Sequence, residues 1–227
     1  MENGMNVKIN FFVSVLLLFA ISCKEDSAIK HVTYTIDQST KEWYIADSIT
    51  LFTMIDSKGI ESSFNQISNY VDYSPGKTII MGIPTKASKT EQKYQSYSST
   101  YGIPFSVSFY PHSDGYGDHI YINIKEYSCS FDLIHQKVTT VYTPFGSVSL
   151  SMTDKGYKNL DKVSSTGEIL SEYTVQNKTY TSVLHITLLD CIPNTEPYAI
   201  REILYAQKYG LIEFVYANGE KQERIFD

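Results

Sequence analysis

Several things are scarce in this 227-residue chain. It has three cysteines and a single tryptophan, Trp43. Three cysteines cannot staple a disulfide scaffold, and a chain of this length buries enough surface to need none. No cluster of Lys or Arg accompanies the net charge of −6, so the electrostatic footprint of a nucleic-acid binder is missing. An acidic body is also poorly suited to anionic lipid head groups. No apolar run approaches the ~20 residues that a membrane-spanning helix needs. Gly-rich phosphate loops, metalloprotease helix motifs and nucleophile elbows are absent as well.

One short apolar run is present. Phe11–Ile21 reads FFVSVLLLFAI, follows Lys8, and is followed by Ser22 and Cys23. A charged start, an apolar core and a small residue at the cut are the parts of a secretion signal. Glu2 is out of place in such a positive segment, and a start at Met5 would remove it. Ala20-Ile21-Ser22-Cys23 resembles the lipobox of bacterial lipoproteins, with Ala20 where that family usually carries Leu. The resemblance implies removal of residues 1–22, lipidation of Cys23 (palmitate included) and a tether over residues 23–32. Two or three acyl chains hold a protein firmly to a membrane, whereas one does not. Lys24-Glu25-Asp26-Ser27 resembles the surface-export signal of Bacteroidota lipoproteins, which implies an outer-membrane address, with a plain charged tether as the alternative.

The rest, residues 33–227, holds all 19 Tyr of the chain and most of its 11 Phe, which suit pleated surfaces. Phe105, Val107 and Phe109 alternate with Ser106, Ser108 and Tyr110. Ile120, Ile122 and Ile124 alternate with Tyr121, Asn123 and Lys125. Two alternating runs around PHSDGYGD predict a hairpin with one buried face. Asp56-Ser57-Lys58-Gly59 predicts a turn between strands, and Ser74-Pro75-Gly76 another. Lys86–Ser99 looks least strand-like. Tyr94, Tyr97 and Tyr101 fall at helical spacing there, so a short helix or a loop is expected. Asn218-Gly219 predicts a two-residue hairpin loop that sets Ala217 opposite Glu220, Glu213 opposite Arg224 and Ile212 opposite Ile225. The fold class is therefore mainly β. A single antiparallel sheet domain, as a curved sheet, half-barrel or sandwich, carries one or two short helices.

EYTVQNKTYTSVLHI (172–186) and ILYAQKYGLIEFVYANGE (203–220) resemble segments of a group of Bacteroidota lipoproteins. Tyr205, Ala206, Gly210, Leu211 and Ile212 carry the second likeness, with Gln207 and Tyr209 departing from it. By fold-level analogy the same ending is similar to lipid-carrier half-barrels, in which a curved sheet wraps a helix.

Chemistry is sparse. His112, Asp114, Asp118 and His119 share one Gly-rich loop, so they are the candidate metal ligands, for Ca²⁺ through oxygen or Zn²⁺ through imidazole. The spacing matches no complete EF-hand or zinc pattern, and an ordinary exposed hairpin loop, where Asp and Gly are the usual residues, is the simpler reading. Cys129 and Cys191 either form a disulfide or sit as small core hydrophobes. Tyr94, Tyr97, Tyr101, Tyr116 and Tyr121 cluster near one hairpin and are the candidate ligand-binding residues, because tyrosine offers rigid apolar area with a polar tip. They are equally good strand formers. His185, amid TSVLHITLL, reads as a half-buried core histidine. No cofactor is implied. The expected function is a non-enzymatic, lipid-anchored binding module for an envelope protein or glycan, with no nucleic-acid partner. The alternatives are a carrier of hydrophobic ligands and a metal-dependent envelope hydrolase.

Overall fold

Alternation of apolar and polar residues builds almost the whole molecule. The computed structural model describes residues 30–80, 83–111, 117–153, 156–158, 162–193 and 195–225. The leader, Cys23, His112, Asp114 and Tyr116 lie outside the described residues. The strands are β1 (Lys30–Tyr34), β2 (Leu51–Asp56), β3 (Glu61–Ile80), β4 (Ile83–Ser99), β5 (Pro104–Tyr110) and β6 (His119–Ile124). They continue with β7 (Tyr127–Asp132), β8 (Lys137–Thr143), β9 (Gly146–Ser149), β10 (Ser151–Thr153) and β11 (Gly156–Lys158). The last are β12 (Thr166–Val175), β13 (Lys178–Thr187), β14 (Ile200–Ala206), β15 (Gly210–Tyr216) and β16 (Lys221–Ile225). One four-residue helix, α1 (Gln38–Lys41), precedes β2.

The fold is mainly β, a single antiparallel sheet that does not close into a barrel. Its order is β12-β13-β14-β15-β16-β2-β3-β4-β5-β6-β7-β8-β9, with β1 also paired to β4, and β10–β11 form a separate hairpin. The chain divides into two units, Met1–Thr33 with Pro75–Lys89 and Tyr34–Ser74 with Thr90–Asp227. In the first unit, Ser88 approaches Gly76 so closely that a Cβ there would lie 2.5 Å from its Oγ. The core and the pocket described below belong to the second.

A sheet with one apolar face must bury that face. Here β12, at one end of the sheet, packs over β7 and β8 near the other, and among the described residues no strand pairing joins them: Gly167 on β12 lies against Phe131 on β7, where a Cβ would come within 2.6 Å of the ring. Phe105, Phe109, Ile120, Ile122, Phe131 and Phe214 fill the interior, each 0–1% exposed. Burying each such side chain contributes about 1.5–3 kcal/mol.

The segment 36–49 crosses this inner face and adds Ile36, Trp43 and Ile45 to the core. Its backbone is held by polar side chains that β4 turns inward. Gln95 Oε1 accepts from Ile45 N (3.0 Å), and Gln95 Nε2 donates to Ile45 O (2.8 Å). Glu91 accepts from Ile36 N (3.0 Å) and pairs with Lys41 (3.3 Å). Tyr205 OH donates to Trp43 O (2.7 Å). A sheet wrapped around a short helix-bearing segment is thus present, but its inside is packed with side chains.

Three sequence expectations need correction. Lys86–Ser99 is neither helix nor loop but part of β4. The inward positions Glu91, Lys93 and Gln95 are polar, which hides the strand's period. Ser74-Pro75-Gly76 is not a turn, because β3 runs through it. The β2 pairing stops at Leu51↔Asn65, so Pro75 sits on a stretch of β3 without β2 beside it, where its missing N–H is tolerated.

The last hairpin is also shifted by one residue. Glu213 faces Glu223 and Val215 faces Lys221. Gly219 has φ +82 while Asn218 stays at negative φ, so the loop is Ala217-Asn218-Gly219 with glycine in the left-handed position. Tertiary bonds explain this choice. Ala217 N donates to Ala199 O (2.8 Å) and Asn218 N to Pro197 O (3.0 Å). A slip of one residue exchanges faces. Arg224 accordingly turns into the interior over the Phe52 ring (4.5 Å) and donates to Tyr209 O, instead of pairing with Glu213.

Candidate functional site

The sequence of β5–β8 puts its apolar residues on the inner face, which leaves Ser, Tyr, His and Asp outward. Pairing then brings distant residues together. Tyr94 faces Ser108, Ser108 faces Tyr121, Tyr121 faces Ser130 and Ser130 faces Thr140, one row across five strands. Tyr110, His119 and Asp132 form the neighbouring row. These rows floor a pocket of about 310 Å³ lined by Thr90, Tyr110, Pro111, His119, Tyr121, Thr139, Thr140, Leu150 and Tyr157. That volume lies at the small end of the range for ligand sites. Tyr110 and Tyr121 meet edge to face (5.1 Å, 74°), and His119 lies beside Tyr121 (6.1 Å). Farther along the same face, Tyr70 on β3 meets Tyr94 (5.4 Å). Burial raises the Tyr110 hydroxyl above its ordinary value, so it stays protonated and able to donate.

A buried carboxylate fixes the pocket wall. Asp132, 0% exposed, accepts from Ile134 N (2.9 Å), His135 N (2.9 Å), Gly117 N (3.2 Å), the His135 ring (2.8 Å) and the Tyr157 hydroxyl. Burial alone would raise its pKa. The His135 backbone bond, the Tyr157 hydroxyl and the His135 ring outweigh burial and hold the carboxyl below the usual Asp value. Gly117 is glycine for want of space: a Cβ there would lie 2.1 Å from Asp132 Oδ1.

His119 Nδ1 contacts Ser130 Oγ (3.1 Å), and its Nε2 lies 3.9 Å from Asp132 Oδ2. Serine, histidine and aspartate in a line are the residue types of a hydrolytic triad. The geometry is otherwise. Ser130 is 0% exposed and takes a bond from Thr139 (2.9 Å), and 3.9 Å exceeds hydrogen-bond reach. Burial lowers the His119 pKa, more than the nearby Asp132 and Asp118 raise it. These groups brace the pocket.

The sequence candidates scatter. Tyr121 lines the pocket, and Tyr94 stands on the same face. Tyr97 is a core residue, 1% exposed, donating to Ile49 O (2.9 Å). Tyr101 is on the β4–β5 turn, 66% exposed. Asp118 and His119 are neighbours on the chain and serve different places. Asp118 accepts from Asp37 N (2.8 Å), whereas His119 lies against Ser130. Among the described residues no group of three or more His, Cys, Asp or Glu is placed to hold a metal ion. The disulfide reading is set aside: Cys129 and Cys191 are both free thiols, Cys129 buried in the core. Burial pushes the Cys129 thiol up to about 12. His185 is flanked by Glu202 (2.9 Å) and Glu168 (3.5 Å), partners that its apolar sequence context did not suggest.

Asp132, Ser130, Thr139, Thr140 and Tyr157 were missed from sequence. One signal was available. Lys125-Glu126 is a two-residue turn, and counting back from it pairs Tyr121 with Ser130 and His119 with Asp132.

No family model, curated protein or solved structure matches this chain. Among the described residues no helix is long and apolar enough to cross a membrane. The pocket's own chemistry therefore has to carry the functional reading.

Proposed function

We propose that this chain is a lipid-anchored, non-catalytic binding module of the bacterial outer membrane, and that its pocket takes a neutral carbohydrate. One observation carries the reading: tyrosine rings and hydroxyls share a single pocket. Tyr110, Tyr121 and Tyr157 supply flat apolar faces, while Thr90, Thr139 and Thr140 supply hydroxyls that both donate and accept. A sugar ring presents the complementary pattern of C–H faces and hydroxyl edges. Among the described residues no ionised side chain lines the pocket, which favours a neutral ligand over an acidic one. Tyr94 and Tyr70 extend the aromatic surface along the same face toward β3, in line with a chain of sugar units.

The anchor rests on the lipobox resemblance at Cys23. Labelled palmitate should enter the wild-type chain and be lost in Cys23→Ala; an unlabelled wild type removes the anchor. For the pocket, a glycan array probed with the full chain in mild detergent should show neutral oligosaccharides. Tyr121→Ala should abolish that signal with little change in melting temperature. A blank array for the wild type overturns the carbohydrate reading, as does an unchanged signal in Tyr121→Ala.

A further inference from the structure

Strand β3 outruns its neighbour β2. Their pairing stops at Leu51↔Asn65, and Gln66 N makes one more bond, to Thr50 O (2.8 Å). From Ile67 to Ser74 the chain is still strand and has β4 on one side, but among the described residues no strand lies on the other. Such an edge leaves a row of main-chain N–H and C=O groups open to a further strand. Its side chains are apolar and face water: Ile67 is 68%, Tyr70 51%, Val71 46% and Tyr73 51% exposed.

Native proteins guard such edges with Lys, Pro or a projecting charge. Residues 67–74, ISNYVDYS, hold no Lys and no Pro. Their one charge, Asp72, turns back along its own strand, where Oδ1 accepts from Tyr73 N (2.7 Å). A lipid surface would cover the apolar side chains but leave the main-chain groups without partners. A strand meets both needs, and this stretch is complementary to itself. The end of the β2 pairing at Asn65 and the imide of Pro75 bound it, with Tyr70 midway between them. Two copies laid antiparallel about Tyr70 set Ile67 against Tyr73, Ser68 against Asp72 and Asn69 against Val71 of the second copy. An aromatic residue opposite a β-branched one is a favourable cross-strand pair, and two-fold symmetry makes it twice. Asp72 faces serine, so no like charges meet. A slip of two residues one way drives Tyr73 onto Asn65, where Leu51 already sits. The same slip the other way sets Ile67 against Pro75, which has no N–H to give.

We infer that β3 is a homodimer edge: two copies of this chain pair their strands over Ile67–Tyr73 about a two-fold axis at Tyr70. The axis stands perpendicular to the sheet, so outer face continues into outer face. On that face Tyr70 meets Tyr94 of its own chain (5.4 Å) and lies opposite Tyr70 of the second copy. The dimer therefore carries two copies of the pocket on one surface, and the avidity this gives for a neutral carbohydrate rests on the reading above.

Sedimentation of the full chain in density-matched mild detergent should show a concentration-dependent dimer. Ile67→Lys with Tyr73→Lys should weaken it at least about tenfold, because the pairing sets the new ammonium groups opposite each other. Ile67→Lys with Tyr73→Glu should restore it, since the same register then makes opposite charges neighbours. Both positions are exposed, so unchanged melting should accompany each variant. In Tyr70→Cys the two Cβ atoms would lie about 4.5–5.5 Å apart across the axis, so mild oxidation should give a disulfide-linked dimer. Tyr101→Cys, on the β4–β5 turn and 66% exposed, should give none above the wild-type level. None of these measurements uses a sugar, and the register variants read the edge itself, so their failure is distinct from failure of the carbohydrate or anchor reading. The inference is overturned if the full chain stays monomeric at the highest concentration reached, which leaves the edge to a foreign strand. It is also overturned if the two charge variants associate alike, or if Tyr70→Cys cross-links no better than Tyr101→Cys.

Discussion

The outer face of the sheet is built in two different ways. Across β5–β8 it is polar, and a buried carboxylate, Asp132, organises histidine, tyrosine and backbone donors beside an open pocket. Across β13–β15 it is apolar: Val183, Leu204, Ala206 and Ile212 form a small second core with Val175 and Tyr180. The β12–β13 hairpin kinks at Ser182, where φ is +54, and Val175 and Tyr180 near its tip join that core. The same sheet thus uses one outer face to close a core and the other to keep a cavity. In the β13–β15 region order comes from packing. In the β5–β8 region it comes from hydrogen bonds that converge on one residue.

The largest effect should come from removing that residue. Asp132→Ala leaves Ile134 N, His135 N and Gly117 N without their acceptor, together with the His135 ring and the Tyr157 hydroxyl. Each buried donor left unsatisfied costs about 1–3 kcal/mol, so a loss of about 3–5 kcal/mol is expected, water relieving part of the sum. Urea denaturation measures it. A loss below ~1 kcal/mol would show that the polar region does not depend on this carboxylate. Gly117→Ala should act in the same direction, because its new methyl group displaces the same oxygen.

In the packed region, Leu204→Ala removes a side chain that is 1% exposed. A loss of about 2–4 kcal/mol is expected, as transfer free energy plus a cavity. The contrast with Asp132 can be sharpened through a replacement that keeps volume. Leu204→Met should recover most of the loss, since packing tolerates a volume-conserving swap. Asp132→Asn should not, since an amide offers one acceptor oxygen where the carboxylate offers two.

The two regions also differ in how far the sequence revealed them. Phe105/Val107/Phe109 and Ile120/Ile122/Ile124 alternate cleanly, and the structure has the hairpin with those residues inward. The turn at Asp56–Gly59 formed as read, with Asp56 Oδ1 accepting from Lys58 N and Ile60 N (2.8 Å each). β4 was illegible because Glu91 and Gln95 face inward to hold the backbone of 36–45, a partner some 50 residues away. The register at Asn218-Gly219 was misread because Pro197 and Ala199 claim the loop's N–H groups. The pocket was half legible. Tyr121 and His119 stood out as residue types, but Tyr157 reaches Asp132 from 25 residues away through β11, and no local pattern announces that.

The smallest effects should appear in the pH dependence, and there the two regions pull in opposite directions. In the polar region, burial lowers the His119 pKa below its ordinary 6.5. The unfolded chain then binds the proton more readily, so the His119 contribution is whole above about pH 6.5 and is lost as pH falls through that value toward the folded one. On the apolar face, Glu213 is 2% exposed and lies across from Leu204. Burial raises its pKa above the ordinary 4.5, despite the Lys221 ammonium at 3.0 Å. Here the folded chain binds the proton more readily, so stability is lost as pH rises through about 4.5 toward the folded value. Urea titrations between pH 4 and 8 should separate the two. Glu213→Gln should flatten the loss on the rising side, and His119→Gln, which keeps a polar partner for Ser130, should flatten the loss on the falling side. If both variants follow the wild-type profile, the polar region and the packed region do not differ in the way their buried ionisable groups are tolerated.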